Sequence, residues 1–139
     1  MPAELAYNSD GIEFFLGFDS PGKDGKAEAS PRFQLLLAPG AGTGQYREPS
    51  AWCCQLKSRA GIDIASRRTK SGYVIEAAIP WEELVPGFVP ASGQRLRMTW
   101  QICDTDSPED STRKKIMWSG DEDNWNSDTG WGLLVLNGK

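Results

Sequence analysis

The chain alternates apolar and polar residues one by one over many short stretches, and nothing longer than a single turn repeats at the helical interval. Residues 95–103 (RLRMTWQIC) are the clearest case. Leu96, Met98, Trp100 and Ile102 fall on one side, and Arg95, Arg97, Thr99 and Gln101 on the other. Successive side chains of a strand point to opposite faces, so this period marks a strand with one apolar face. The same pattern appears at residues 11–18 (Ile12, Phe14 and Leu16 against Glu13 and Phe15), at 32–38 (Phe33, Leu35 and Leu37 against Arg32, Gln34 and Leu36) and at 72–79. Shorter strands are expected at 51–57, 61–68 and 114–118, with a closing strand in WGLLVL. Segments rich in Gly, Pro, Asp and Ser separate them. Pro80 cannot donate to a sheet ladder and ends its strand, and Trp81-Glu82-Glu83-Leu84 then reads as one helical turn with acids near its positive end. Many short strands punctuated by turns predict an all-β fold, an antiparallel β-sandwich of jelly-roll type with one helical turn at 80–84.

At 139 residues, without an internal repeat or a linker, a single domain is expected over 1–139. The net charge of −4 does not suit nucleic acid or an anionic membrane, which call for clustered Lys and Arg. The basic run Arg113-Lys114-Lys115 reads as a solvated strand edge. No apolar run approaches the roughly 20 residues that span a bilayer, and the start MPAELAYNSDG carries no signal peptide. Cys53, Cys54 and Cys103 are read as free, mostly buried thiols: the first two are neighbours that cannot pair without strain, and the count is odd. Histidine is absent, which excludes Ser-His-Asp and Cys-His catalysis, the usual zinc sites and histidine-ligated haem.

Against this order of strands the chain resembles the family 9 carbohydrate-binding modules. YNSDGIEFFLGF is similar to the family's aromatic-x-x-Asp-x-hydrophobic-Glu-aromatic strand, with Tyr7, Asp10 and Glu13 in register. PRFQLLLAPG resembles the next strand and its Gly turn. SRAGIDIASRRTKSGYVIEAAIPWEEL carries the strongest likeness, a Gly-Tyr, a Glu-containing strand and then Ile-Pro-Trp. GQRLRMTWQICDTDS and MWSGDEDNWNSDTGWGLLVL complete it. The resemblance makes the Glu76 strand and its Pro-Trp turn a structural corner. It also implies two or more further strands ahead of Tyr7; a sandwich without them has an open edge, through which a homodimer could form.

The implied function is non-catalytic carbohydrate binding, as a module of a larger extracellular or periplasmic glycan-active protein. Sugars stack their C–H faces on aromatic rings while planar polar groups grip their hydroxyls. Carried over by position, Tyr7 is the first aromatic, where the family has Trp, Glu13 the carboxylate, and Arg32 and Gln34 the polar grip. Trp118 is the second aromatic, with Trp125 as its alternative. Periodicity independently places Glu13, Arg32 and Gln34 on one face, which Arg97 and Gln101 could join. A plain reading makes Glu13 and Arg32 a cross-strand ion pair. Trp52, Trp81 and Trp100 are expected in the core, and Trp131 is expected to pack at the start of the last strand. The acidic loops read as solvated loops; alternatively calcium, which relatives carry, could be held by Asp121, Asp123 and Asp128, with Asn124, or by Asp104 and Asp106. The alternatives are an interaction or structural domain without sugar binding, or a small glycosidase using two carboxylates such as Glu13 and Glu76.

Overall fold

The computed structural model describes residues 10–18, 31–41, 47–105 and 114–138. In chain order the elements are β1 (Gly11–Phe18), β2 (Arg32–Ala38), β3 (Ser50–Cys53), β4 (Asp63–Arg68), β5 (Tyr73–Ala78), α1 (Trp81–Leu84), β6 (Arg95–Asp104), β7 (Lys114–Met117) and β8 (Gly132–Val135). All pairings are antiparallel. Six strands form one sheet in the order β3-β2-β1-β6-β7, with β8 also on β6; β4 and β5 form a separate two-stranded sheet. β7 and β8 follow one another along the same side of β6, because β7 pairs Gln101 to Asp104 and β8 pairs Arg95 to Met98. No helix among the described residues is long and apolar enough to cross a membrane.

The apolar stripes decide how the layers stack. Leu16, Phe18, Phe33, Leu35, Leu37 and Leu96 of the large sheet pack against Ile62, Ile64 and Leu84, with Ile75, Ile79 and Trp81 at the margin. Phe18 sits edge-on to Phe33, Trp81 and Phe88, at centroid distances of 5.9, 5.9 and 4.8 Å. The turn at 80–84 forms as expected: Pro80 takes extended backbone (φ −68°, ψ 124°) ahead of α1, and Leu84 is the buried residue of the turn. A two-stranded sheet alone is marginal in water; here its inward Ile64 and Ile75 anchor it on the core.

Two expectations change. The strand expected over 51–57 ends at Cys53, whose N–H turns back to the Ser58 carbonyl at 2.7 Å while Lys57 takes a positive φ of 49°. Trp52 is not in the sandwich core but half-buried on the opposite face of the large sheet, against Leu36, Ala38 and Cys54. Trp81 and Trp100 are half-buried, and Trp131 is buried.

Candidate functional site

The outward face of the large sheet carries most of the polar residues singled out by alternation. Antiparallel partners share a face, so the pairings give three rows across β2, β1 and β6: Leu36–Glu13–Gln101, Gln34–Phe15–Thr99 and Arg32–Gly17–Arg97. Glu13, Arg32, Gln34, Arg97 and Gln101 therefore do share one face.

The Glu13 row is closed. Glu13 is only 4% exposed. Its Oε2 accepts from Gln34 Nε2 and from Gln101 Nε2, each at 2.9 Å. Its Oε1 accepts from Cys103 Sγ at 3.1 Å and from Lys115 Nζ at 3.4 Å. A buried carboxylate is tolerated when it is paired and fully hydrogen-bonded, and these donors supply that. Glu13 is thus the hub of a buried polar cluster, not a free carboxylate at the surface. It makes its ion pair with Lys115 rather than Arg32. Lys115, read as part of a solvated edge, folds over β6 because the Cys103–Lys115 pairing puts it on Glu13's face. Arg113 lies outside the described residues.

The Arg32 row is open. Gly17 leaves a gap between the two arginines, and the Trp131 ring fills it: a Cβ on Gly17 would stand 3.3 Å from that ring. Trp131 also packs on Phe15 at 5.6 Å between centroids. Asp128 lies over the row. Its carboxylate meets Arg32 Nη1 at 3.7 Å and Arg97 Nη1 at 3.3 Å, with all three side chains partly exposed, and its carbonyl accepts from Arg97 Nη2. The loop 119–130 is thereby tied to the sheet. Its Trp125 is 65% exposed.

The other expected residues are placed as follows. Tyr7 and Asp106 lie outside the described residues. Trp118, 51% exposed, is on the wrong face to join Glu13 and Arg32. Ser119 next to it reaches Thr99 on the outward face, hydroxyl to hydroxyl at 2.9 Å, so Trp118 points to the inward side. There it overlies Gly132, where a Cβ would be 2.5 Å from its ring. Asp10 accepts from the Thr105 N–H at 3.0 Å. Among the described residues no three His, Cys, Asp or Glu gather into a metal site. Asp121 Oδ1 is engaged by the Asp123 N–H at 2.8 Å, and Asp128 is balanced by two guanidiniums. As arranged, these residues do not form a cage for calcium.

Glu76 is exposed on the outward side of the small sheet, where with Asp63, Ala65 and Ala78 it lines a shallow groove of about 300 Å³. Glu13 and Glu76 thus face away from each other across two sheets, which pack about 10 Å apart. They cannot flank one glycosidic bond, which needs carboxylates about 5 to 9.5 Å apart. No disulfide joins Cys53, Cys54 and Cys103, and Cys53 and Cys54 are poor nucleophiles. Burial raises Cys53, and burial, then the Cys53 and Glu13 charges, raise Cys54 to about 11. Both therefore keep their protons at neutral pH, and the thiolate is the reactive form.

A family model described as "Carbohydrate family 9 binding domain-like" matches residues 2–139. An endo-1,4-beta-xylanase A of Thermoanaerobacterium saccharolyticum is 33% identical over 81 residues, covering 57% of this chain and 6% of the xylanase. The chain thus aligns with only a small fraction of that relative's length. No solved structure matches the chain significantly.

Proposed function

The chain belongs to the family 9 carbohydrate-binding-domain-like proteins, and on that premise we propose that it is a non-catalytic module binding a mono- or oligosaccharide within a larger, exported glycan-active protein. The observation that carries this reading is the open row. Two arginines and a carboxylate, all reachable by solvent, stand beside the loop that holds out Trp125. A sugar ring stacks its C–H face on the indole, and the planar guanidiniums of Arg32 and Arg97 take neighbouring hydroxyls. Gln34 borders the row. Glu13 acts from beneath by fixing the Gln34 and Gln101 amides. The long xylanase relative supports the module reading and suggests xylan or a related polysaccharide as the ligand.

Tryptophan fluorescence titration with glucose, xylose, galactose and their short oligomers tests this. A saturable shift with one sugar class is expected; no shift with any of them, on a chain shown to be folded, contradicts it.

A second reading rests on the inward patch beyond β6. Ile116 and Trp118 are exposed there, and among the described residues β7 has a strand partner only on its β6 side. Exposed apolar side chains on an edge strand favour association, and we propose Ile116 and Trp118 as part of a homodimer contact. Sedimentation should show a dimer that Ile116→Lys converts to monomer; a monomer at every concentration contradicts the proposal.

A further inference from the structure

The loop 119–130 is closed more tightly than an exposed acidic loop requires. Its neck brings glycine onto glycine: a Cβ on Gly130 would stand 2.5 Å from Gly120 Cα, and Gly120 has a φ of +79° that favours glycine. Its interior is filled by Asn124, only 2% exposed. Asn124 Nδ2 donates to the Ser119 carbonyl at 3.0 Å, and its Oδ1 accepts from the Asp121 N–H at 3.3 Å. The N–H groups of Asn126 and Ser127 both close on the Asp123 carbonyl at 2.9 Å. The far limb is pinned by Asp128 on Arg32 and Arg97, and the Trp131 N–H returns to the Asp128 carbonyl at 3.1 Å. Trp125 directly follows the buried amide, yet its ring stays in solvent. Burying the indole is what the hydrophobic effect favours. A loop that instead buries an asparagine and holds the neighbouring indole out is built to present that ring.

We propose that Asn124 and Asp128 are positioning residues for Trp125, an inference that rests on the sugar-binding reading. Asn124 plugs the loop from within, so the next side chain must point outward. Asp128 sets the distance and tilt of the loop over the sheet through the two arginines. A ring fixed before the ligand arrives binds without the entropy cost of ordering it, a gain of about three- to tenfold in affinity.

The test uses the full chain and the variants Asn124→Ala, Asp128→Asn and Asp128→Glu. The Trp125 signal is isolated by difference from matched Trp125→Phe proteins. Time-resolved anisotropy and acrylamide quenching report the mobility of the ring, and calorimetric titration with glucose, xylobiose and cellobiose reports affinity. The expected result is a looser, more quenchable Trp125 in Asn124→Ala and Asp128→Asn, with affinity about three- to tenfold weaker and an unchanged far-ultraviolet spectrum. Asp128→Glu, which keeps the charge, should recover most of both. Unchanged mobility in these two variants overturns the proposal, and so does a loosened ring with unchanged affinity. If the unaltered chain binds none of the three sugars, the sugar-binding reading fails separately, and anisotropy alone then decides whether Asn124 and Asp128 position the ring.

Discussion

The outward face of the large sheet holds two polar rows of opposite kind. The Glu13 row is sealed, its carboxylate carrying Gln34, Gln101, Cys103 and Lys115. Four residues along the same strand, the Arg32–Gly17–Arg97 row is solvent-facing, and its anion comes from a loop rather than from a strand. Alternation alone makes them equivalent. Burial makes the first a brace for the sheet and leaves the second with guanidinium donors still open to a ligand. A polar residue on a shared face is therefore evidence of a site only when it keeps bonding capacity that a ligand can reach.

The contrast is sharpest for Glu13→Ala. It leaves Lys115 and two amides without their acceptor in a buried place and should lower stability by about 3 kcal/mol, read by urea unfolding. Glu13→Gln, which keeps the shape, should cost less. A loss under about 1 kcal/mol for the alanine, the level of an exposed pair, would put this row in the same class as its neighbour.

On the open row the effects should fall on binding instead. Trp125→Ala removes the stacking ring and should weaken sugar affinity about tenfold by calorimetry, the equivalent of about 1.4 kcal/mol. Arg32→Gln or Arg97→Gln should weaken it several-fold while costing under about 1 kcal/mol of stability, since both pairs with Asp128 are partly exposed. Equal losses of stability in the two rows would break the comparison.

How far the sequence foretold this differs between the two rows. Most of the strands and the common face of Glu13, Arg32, Gln34, Arg97 and Gln101 follow from local period two, and the turn follows from Pro80, so these were legible. The closing of the first row was not, because Lys115 reaches Glu13 from an edge strand whose register is set by pairing with β6. The inward turn of Trp118 escaped for the same reason, since parity cannot be carried across the segment 105–113 that precedes β7. Lys57 was read as strand because nothing in AWCCQLK announces a positive φ. The tie between Asp128 and its two arginines spans three segments, and the excess of acids in its loop is equally compatible with a solvated loop or a calcium site.

Two smaller effects follow. Unfolded thiols ionise near their usual value of 9.0, while Cys54 in the fold keeps its proton to about 11. The folded pKa is raised, so this contribution to stability is complete below pH 9.0 and is lost as pH rises through about 11. The melting temperature should therefore fall across that window, and Cys54→Ala should flatten the fall; a flat wild-type profile contradicts the burial of the thiol. Smaller still, EDTA should leave melting and affinity unchanged, because Asp128 is already balanced by Arg32 and Arg97. A drop in either would restore calcium at Asp121, Asp123 and Asp128.

The measurement that tests the central claim most directly is an amide chemical-shift titration of the full chain with the sugar that binds best in the fluorescence panel. The account predicts saturable shifts confined to Arg32, Gln34, Arg97 and residues 123–129, with Gln101 and Cys103 moving little. Shifts centred on the groove of Asp63 and Glu76, or on Ile116 and Trp118, would contradict it.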